Sequence, residues 1–247
     1  MMKVFIVFAH PEPQSFNGSL LQVVVDKLEH QGHEVKISDL YGMKWKAQVD
    51  RTEFLHVPAE PRLKVAYASA EATAMNTLTD DLSMPAILKG WFERVYSLGF
   101  AYGLGEYNER RWGDRYGEGK MLGKRAMLVV TAGGWIEHFS PRGISGPIDD
   151  LLLPITHGLL YYPGFTVLLS FVVYQTDRAD GDAFEREAMK LRDRIRNLTV
   201  TDPIDFRPQN GGDYEIPTLT LKAGLEDAST SGFSLHHRMM KAPEELA

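Results

Sequence analysis

Residues 4–9 form an unbroken apolar run, VFIVFA, rich in β-branched and aromatic side chains. Ended by His10-Pro11, it predicts a strand buried on both faces. Residues 10–17 hold two prolines and cannot be helical throughout. Leu20, Leu21, Val24 and Leu28 then recur at helical spacing, and Gly32 stands where a C-terminal stop belongs. Residues 34–40 alternate, with Val35, Ile37 and Leu40 apolar, and predict a second strand. Strand, loop, helix and strand in succession make a βαβ unit. That unit implies a parallel sheet with helices packed on its faces.

Residues 41–61 read as a connection with aromatic anchors at Trp45 and Phe54, and the alanine-rich residues 63–75 read as helix. Pro85 suits the first turn of another helix, whose Ile87, Leu88, Trp91, Val95 and Leu98 share one face. Residues 99–123 are glycine-rich and aromatic, and a loop of that length is uncommon unless it is functional or disordered. Residues 126–130 predict a buried strand, residues 151–162 a helix and residues 165–173 a further strand. Phe184, Ala188, Leu191, Ile195 and Leu198 mark a last amphipathic helix, and from Pro203 the chain turns polar and irregular. The expected division is an α/β domain over residues 1–202 and an extension over residues 203–247, packed on the domain or on a dimer partner. No strand is predicted between Leu40 and Ala126.

Charge and composition narrow the function classes. The 247 residues carry a net charge of −6, which lacks the electrostatic footprint of a nucleic-acid binder. With no cysteine there is no disulfide, thiolate nucleophile or cysteine-held metal, which fits a reducing cytoplasm. The N-terminal apolar run is too short to span a membrane and lacks a signal-peptide cleavage pattern.

Two loops carry candidate chemistry. In an open α/β sheet, ligands bind beyond the C-terminal ends of the strands. Residues 10–17 follow the first strand and lead into a helix, whose N-terminal N–H groups, with the Ser15 hydroxyl and His10, suit phosphate oxygens. The plainer reading is that Ser15 caps the helix and His10 is a turn residue. Thr131-Ala132-Gly133-Gly134 follows another strand, and its glycines allow close backbone approach to a flat ligand; alone, it is also a plain turn. No G-x-G-x-x-G, Walker A or G-x-S-x-G pattern is present, which argues against a dinucleotide-binding dehydrogenase, a P-loop nucleotidase and an α/β-hydrolase. His236-His237 are adjacent with no third ligand evident, so they read as tail residues and no metal site is expected. Tyr161, Tyr162 and Trp91 read as core or interface aromatics.

Five segments taken in order, VFIVFAHPEPQSFN (4–17), SMPAILKGW (83–91), GFAY (99–102), TAGG (131–134) and HGLLYYPGF (157–165), resemble the NAD(P)H:quinone oxidoreductases. The tail from Asn210 looks like that of a bacterial branch. The resemblance implies a flavodoxin-like, doubly wound parallel sheet and a homodimer. It also implies FAD, or FMN, and ping-pong hydride transfer from NAD(P)H to a quinone. Matched by motif, His10, Ser15, Phe16 and Asn17 hold the flavin's phosphates and ribityl chain. Thr131, Ala132, Gly133 and Gly134 border its ring, and Tyr102, reaching in from the partner subunit, lines the substrate pocket with Leu104. Glu93 and Arg94 lie on the neighbouring helix. The family also leaves open azo- or nitro-reduction with the same flavin, and a role as ancillary subunit of a potassium efflux transporter.

Two departures from the family stand out. Between Asp81 and Leu82 about 20 residues are missing, enough for one central strand and the aromatic loop after it. Near the Gly-Gly turn, Phe139 and Ser145 stand where animal members have a Tyr and a His that pass charge. Phe139 has no hydroxyl to donate, and His138 beside it is the expected substitute.

Overall fold

The computed structural model describes residues 1–48, 84–226, 230 and 232–238. The anchor expected at Phe54, the helix over residues 63–75 and the Asp81–Leu82 junction lie outside the described residues. The chain divides into two compact units, Met1–Ser97 with Gln175–Thr199, and Leu98–Tyr174 with Val200–Ala247.

The first unit is built on the expected βαβ. β1 (Lys3–Phe8) pairs in parallel with β2 (Glu34–Asp39), with Ile6 opposite Ile37. Between them α1 (Phe16–His30) begins at Ser15, whose side chain accepts from the Gly18 N–H. It ends where Gly32, at φ +74°, donates to the Glu29 carbonyl and the His33 N–H reaches Leu28. Leu20, Val23, Val24 and Leu28 form its buried face. α2 (Ala86–Val95) starts after Pro85, as its fixed φ favours. Its buried residues are Gly90 and Phe92, and Leu98 lies past its end and is exposed, so the apolar face predicted through Leu98 stops a turn early. Gly90 is needed because a Cβ there would sit 2.5 Å from the Ala47 carbonyl oxygen. The last helix of the chain, labelled α4 below, spans Gly181–Arg196; Asp180 caps it and it lays Ala188, Leu191 and Ile195 inward. Phe16 of α1 meets its Phe184 edge-on at 5.2 Å.

In the second unit, the single strand expected over residues 126–130 is two short ones. β5 (Arg125–Ala126) pairs with β7 (Thr166–Val167), and β6 (Val129–Thr131) with β8 (Phe171–Val173), all in parallel. From Ala126 opposite Val167 to Val129 opposite Phe171, one side advances three residues and the other four. The extra residue is a bulge, which interrupts the ladder and redirects the side chains beyond it. The helix expected over residues 151–162 is also divided. α3 (Ile148–Ile155) contains Pro154, which lacks an N–H to donate, and the chain widens into a π-turn over Thr156–Tyr161.

Residues 99–123 are ordered by a small hairpin, β3 (Tyr107–Asn108) with β4 (Arg111–Trp112), and by bonds to the π-turn. The N–H groups of Tyr116, Gly117 and Met121 donate to the carbonyls of Tyr162, Tyr161 and Pro163. The segment after Pro203 is irregular but packed. Leu168 bridges Pro203 at the edge of β7, and Phe206, Arg207, Gln209 and Tyr214 are buried.

Candidate functional site

In the first unit, His10, Ser15, Phe16 and Asn17 lie on one turn at the C-terminal end of β1. His10 Nδ1 lies 3.1 Å from the Glu12 backbone nitrogen and 3.0 Å from the Glu12 carbonyl oxygen. In one tautomer it accepts from that N–H, and in the other it donates to that carbonyl. The Glu12 carboxylate, which the sequence reading passed over, accepts from the Gln14 N–H at 2.8 Å. Ser15 is the cap, as the plainer reading had it, and its backbone N–H bonds to Glu12 at 3.1 Å. The two readings are compatible, because capping one N–H leaves a helix start with further first-turn donors pointing outward. A Cβ on Gly18 would lie 1.9 Å from the Pro13 carbonyl oxygen, so only glycine lets the loop fold back over the helix. Helix starts of this kind suit anionic oxygens.

In the second unit, Thr131 closes β6 opposite Val173, and the Ala132 N–H donates to the Val173 carbonyl at 2.8 Å. The turn that follows is filled from its own chain. A Cβ on Gly134 would stand 3.0 Å from His138 Nδ1 and 3.2 Å from the Phe139 ring. At this glycine the close approach is therefore made by His138 and Phe139, which lie on a single 3-10 turn, Ile136–Phe139. The Ser145 N–H donates to the His138 carbonyl at 3.0 Å, so His138, Phe139, Ser145 and the Gly133-Gly134 turn are brought together. The Phe139 ring faces Tyr174 at 5.6 Å. Burial, then the Asp149 charge, holds the Tyr174 phenol above its ordinary range.

Tyr102 and Leu104 lie in the glycine-rich segment. The Tyr102 ring meets Tyr162 edge-on at 6.3 Å, and the Leu104 carbonyl accepts the Asp114 N–H at 2.8 Å. Glu93 and Arg94 are engaged on α2. Lys89 pairs with Glu93, and Arg94 bonds the Lys46 carbonyl and lies over the Trp45 ring at 5.2 Å.

His236 is no loose tail residue. Four rings stack nearly parallel, Tyr116 on His157 at 4.7 Å, His157 on His236 at 5.7 Å, and His236 on Tyr214 at 6.1 Å. Tyr214 Oη and His236 Nδ1 are 3.0 Å apart. Burial, reinforced by His236 and His237, pushes the His157 imidazole down to about 3, and burial then Arg207 lowers His236. Burial pushes the Tyr214 phenol up to about 12. The sequence reading missed this stack because its members lie far apart in the chain. Among the described residues no group of three or more His, Asp or Glu side chains has metal-holding geometry, and no helix is long and apolar enough to cross a membrane.

The βαβ unit and the loop at its strand end define a flavodoxin-like protein. A family model described as flavodoxin-like fold matches residues 2–198, and the chain belongs to that family. Its sequence is 52% identical to a ribosyldihydronicotinamide dehydrogenase-like protein, traD, of Penicillium crustosum, covering 96% of each chain. It is 33% identical to the ribosyldihydronicotinamide dehydrogenase [quinone] of Mus musculus, over 83% of this chain and 96% of the other. The fold matches a crystal structure from Klebsiella pneumoniae provisionally described as a quinone reductase, with TM-score 0.85 and 47% identity, over 96% of this chain and 100% of that one.

Proposed function

We propose that this chain is a flavin-dependent oxidoreductase that carries two electrons from a reduced nicotinamide, NAD(P)H, to a quinone in a ping-pong sequence. FAD is the proposed flavin, and the proposed working form is a cytoplasmic homodimer. The observation that carries this reading is the loop over residues 10–17. It presents a capped helix start, the His10 imidazole and a glycine-enforced fold, within a chain of the flavodoxin-like family. The names of the relatives support the reaction.

In this reading His10, Ser15, Phe16 and Asn17 hold the phosphates and ribityl chain, and Thr131, Ala132, Gly133 and Gly134 border the ring. When bound, the flavin supplies hydride acceptance and donation, and the protein supplies orientation and electrostatics. His138 is the nearby titratable group, and Phe139 shapes the turn as an apolar wall without donating. Ser145 keeps the His138 segment in place through its backbone. Tyr102 and Leu104 form the wall against which the nicotinamide and then the quinone lie.

Both relatives above are named for ribosyldihydronicotinamide, which favours a second reading of the donor alone: dihydronicotinamide riboside in place of NAD(P)H. Purified protein is expected to be yellow, to release FAD on denaturation, and to oxidise a reduced nicotinamide when a quinone is added. Supplying the three donors in parallel assays separates the two readings. Colourless protein that takes up no added FAD would rule out both.

A further inference from the structure

We infer that Asn210, in the segment that follows α4, is a positioning residue for the loop that carries Tyr102 and Leu104. This rests on the reading of those two residues as the acceptor wall.

The Asn210 amide is used on both sides. Nδ2 donates to the Gly113 carbonyl at 2.9 Å and to Glu118 Oε2 at 2.7 Å, while Oδ1 accepts the Trp112 N–H at 3.3 Å. These partners fix which way the amide points. Its neighbour Gln209 is buried, donates from Nε2 to the Trp112 carbonyl at 2.6 Å, and bonds through its N–H to Tyr116 at 3.0 Å. The same Glu118 oxygen accepts from Arg111 at 2.8 Å, and Arg111 also grips Asp114 at 2.6 Å.

What Asn210 holds is coupled directly to the acceptor wall. The Gly113 N–H donates to the Glu106 carbonyl and the Asp114 N–H to the Leu104 carbonyl, both at 2.8 Å. Fixing Gly113 therefore fixes the strand of loop that bears Leu104. Tyr102 is reached by a second route, through Tyr162. The Arg115 guanidinium lies over both the Tyr162 ring, at 5.9 Å, and the Trp112 ring, at 4.7 Å. A segment with little regular structure thus has its geometry set from a part of the chain almost 100 positions away, through one carboxamide.

The test uses the full-length protein with its flavin bound and two readouts: trypsin cleavage after the exposed hairpin residue Arg110, and steady-state kinetics with a quinone. Cleavage there tracks how often the hairpin opens. Asn210→Asp removes both donations and sets a carboxylate beside Glu118. It is expected to raise the cleavage rate and the quinone KM by about tenfold each, with kcat within about twofold, the scale set by the loss of two half-buried hydrogen bonds. Adding Glu118→Gln to Asn210→Asp returns a carboxamide donor from the other side and is expected to recover part of both changes. If Asn210→Asp does not fold, Asn210→Ser, which removes the amide donor without adding a charge, decides by the same readouts. Unchanged cleavage and KM overturn the inference, as does a lowered melting temperature with KM intact, which marks a structural role only. A raised KM without faster cleavage also overturns it. If the unmodified protein reduces no quinone, the functional reading fails by itself and the cleavage arm still decides whether Asn210 holds the hairpin.

Discussion

His157 shows how a residue that is ordinary in the sequence becomes unusual through its surroundings. In the chain it is one member of HGLLYYPGF. In the fold it is sandwiched between the Tyr116 and His236 rings, with Phe206 and Tyr161 at its edges. Packing of that kind favours the neutral imidazole, and its pKa falls from 6.5 to about 3. The sign of the stability effect follows. Above pH 6.5 both folded and unfolded chains are neutral at this residue, and its packing contributes fully. As pH falls from 6.5 toward 3, the unfolded chain takes up the proton first and stability is lost, by on the order of a few kcal/mol at the acid end. His236 shifts the same way. Asp213, held down first by its hydrogen bond from Arg207, works in a lower window, because its contribution is lost only below the ordinary carboxylate value of 3.8. Urea unfolding at pH 7.5, 6 and 5 is therefore expected to show falling stability before Asp213 is involved, and His157→Phe is expected to flatten the slope. An equally steep slope in the variant would show that the stack is not its source.

Individual elements were legible where local chemistry dominated. β1, α1 and β2 come out within a residue or two of the pattern, because an apolar strand, a serine cap and a glycine stop act over a few positions. Other elements depend on partners that the sequence does not reveal. The bulge between β7 and β8 exists only relative to β5 and β6, and the path after α3 is decided jointly by Pro154 and by the loop that leans on the π-turn. That last contact shows why residues 99–123 carry so many glycines. A Cβ on Gly164, at φ +103°, would stand 2.7 Å from the Glu118 carbonyl oxygen, and one on Gly119, at φ +118°, would stand 2.7 Å from that of Pro163. Two backbones touch, each using a conformation that side chains disfavour. Gly164→Ala is expected to cost about 2 kcal/mol or more from clash and backbone strain together. A matched Gly181→Ala, where nothing lies within 4 Å, is expected to change stability little. Chemical denaturation of the pair measures the difference, and equal midpoints would mean that the loop gives way without cost.

For the molecule as a whole, the family was readable from five short motifs, but the arrangement of the site was only partly so. The turn over residues 10–17 is local, with its cap and its fold set by neighbours a few positions away. Asn210 and Glu118 were not singled out, because their partnership spans 92 positions and neither belongs to a motif. The gap predicted at the Asp81–Leu82 junction is a question on this same scale. The alignment with the Penicillium crustosum relative runs over 259 positions, more than the 247 residues of this chain, so that relative carries residues inside the aligned span with no counterpart here. In a flavodoxin-like sheet of order 2-1-3-4-5, a third strand lies beside the first and its following loop lies at the ligand edge. If the residues that this chain lacks are that segment, the turn over residues 10–17 is kept while contacts to a flavin ring are reduced. Affinity then comes mainly from charge and backbone donors and is strongly salt-dependent. Inserting the relative's extra residues between Asp81 and Leu82 is therefore expected to tighten flavin binding by about tenfold or more, the scale of one aromatic contact on the ring. It should also make binding less sensitive to salt. A glycine–serine insert of equal length should do neither. Titration of both proteins with FAD at low and high salt decides the matter. If the two inserts behave alike, the residues absent from this chain are not those that grip the ring.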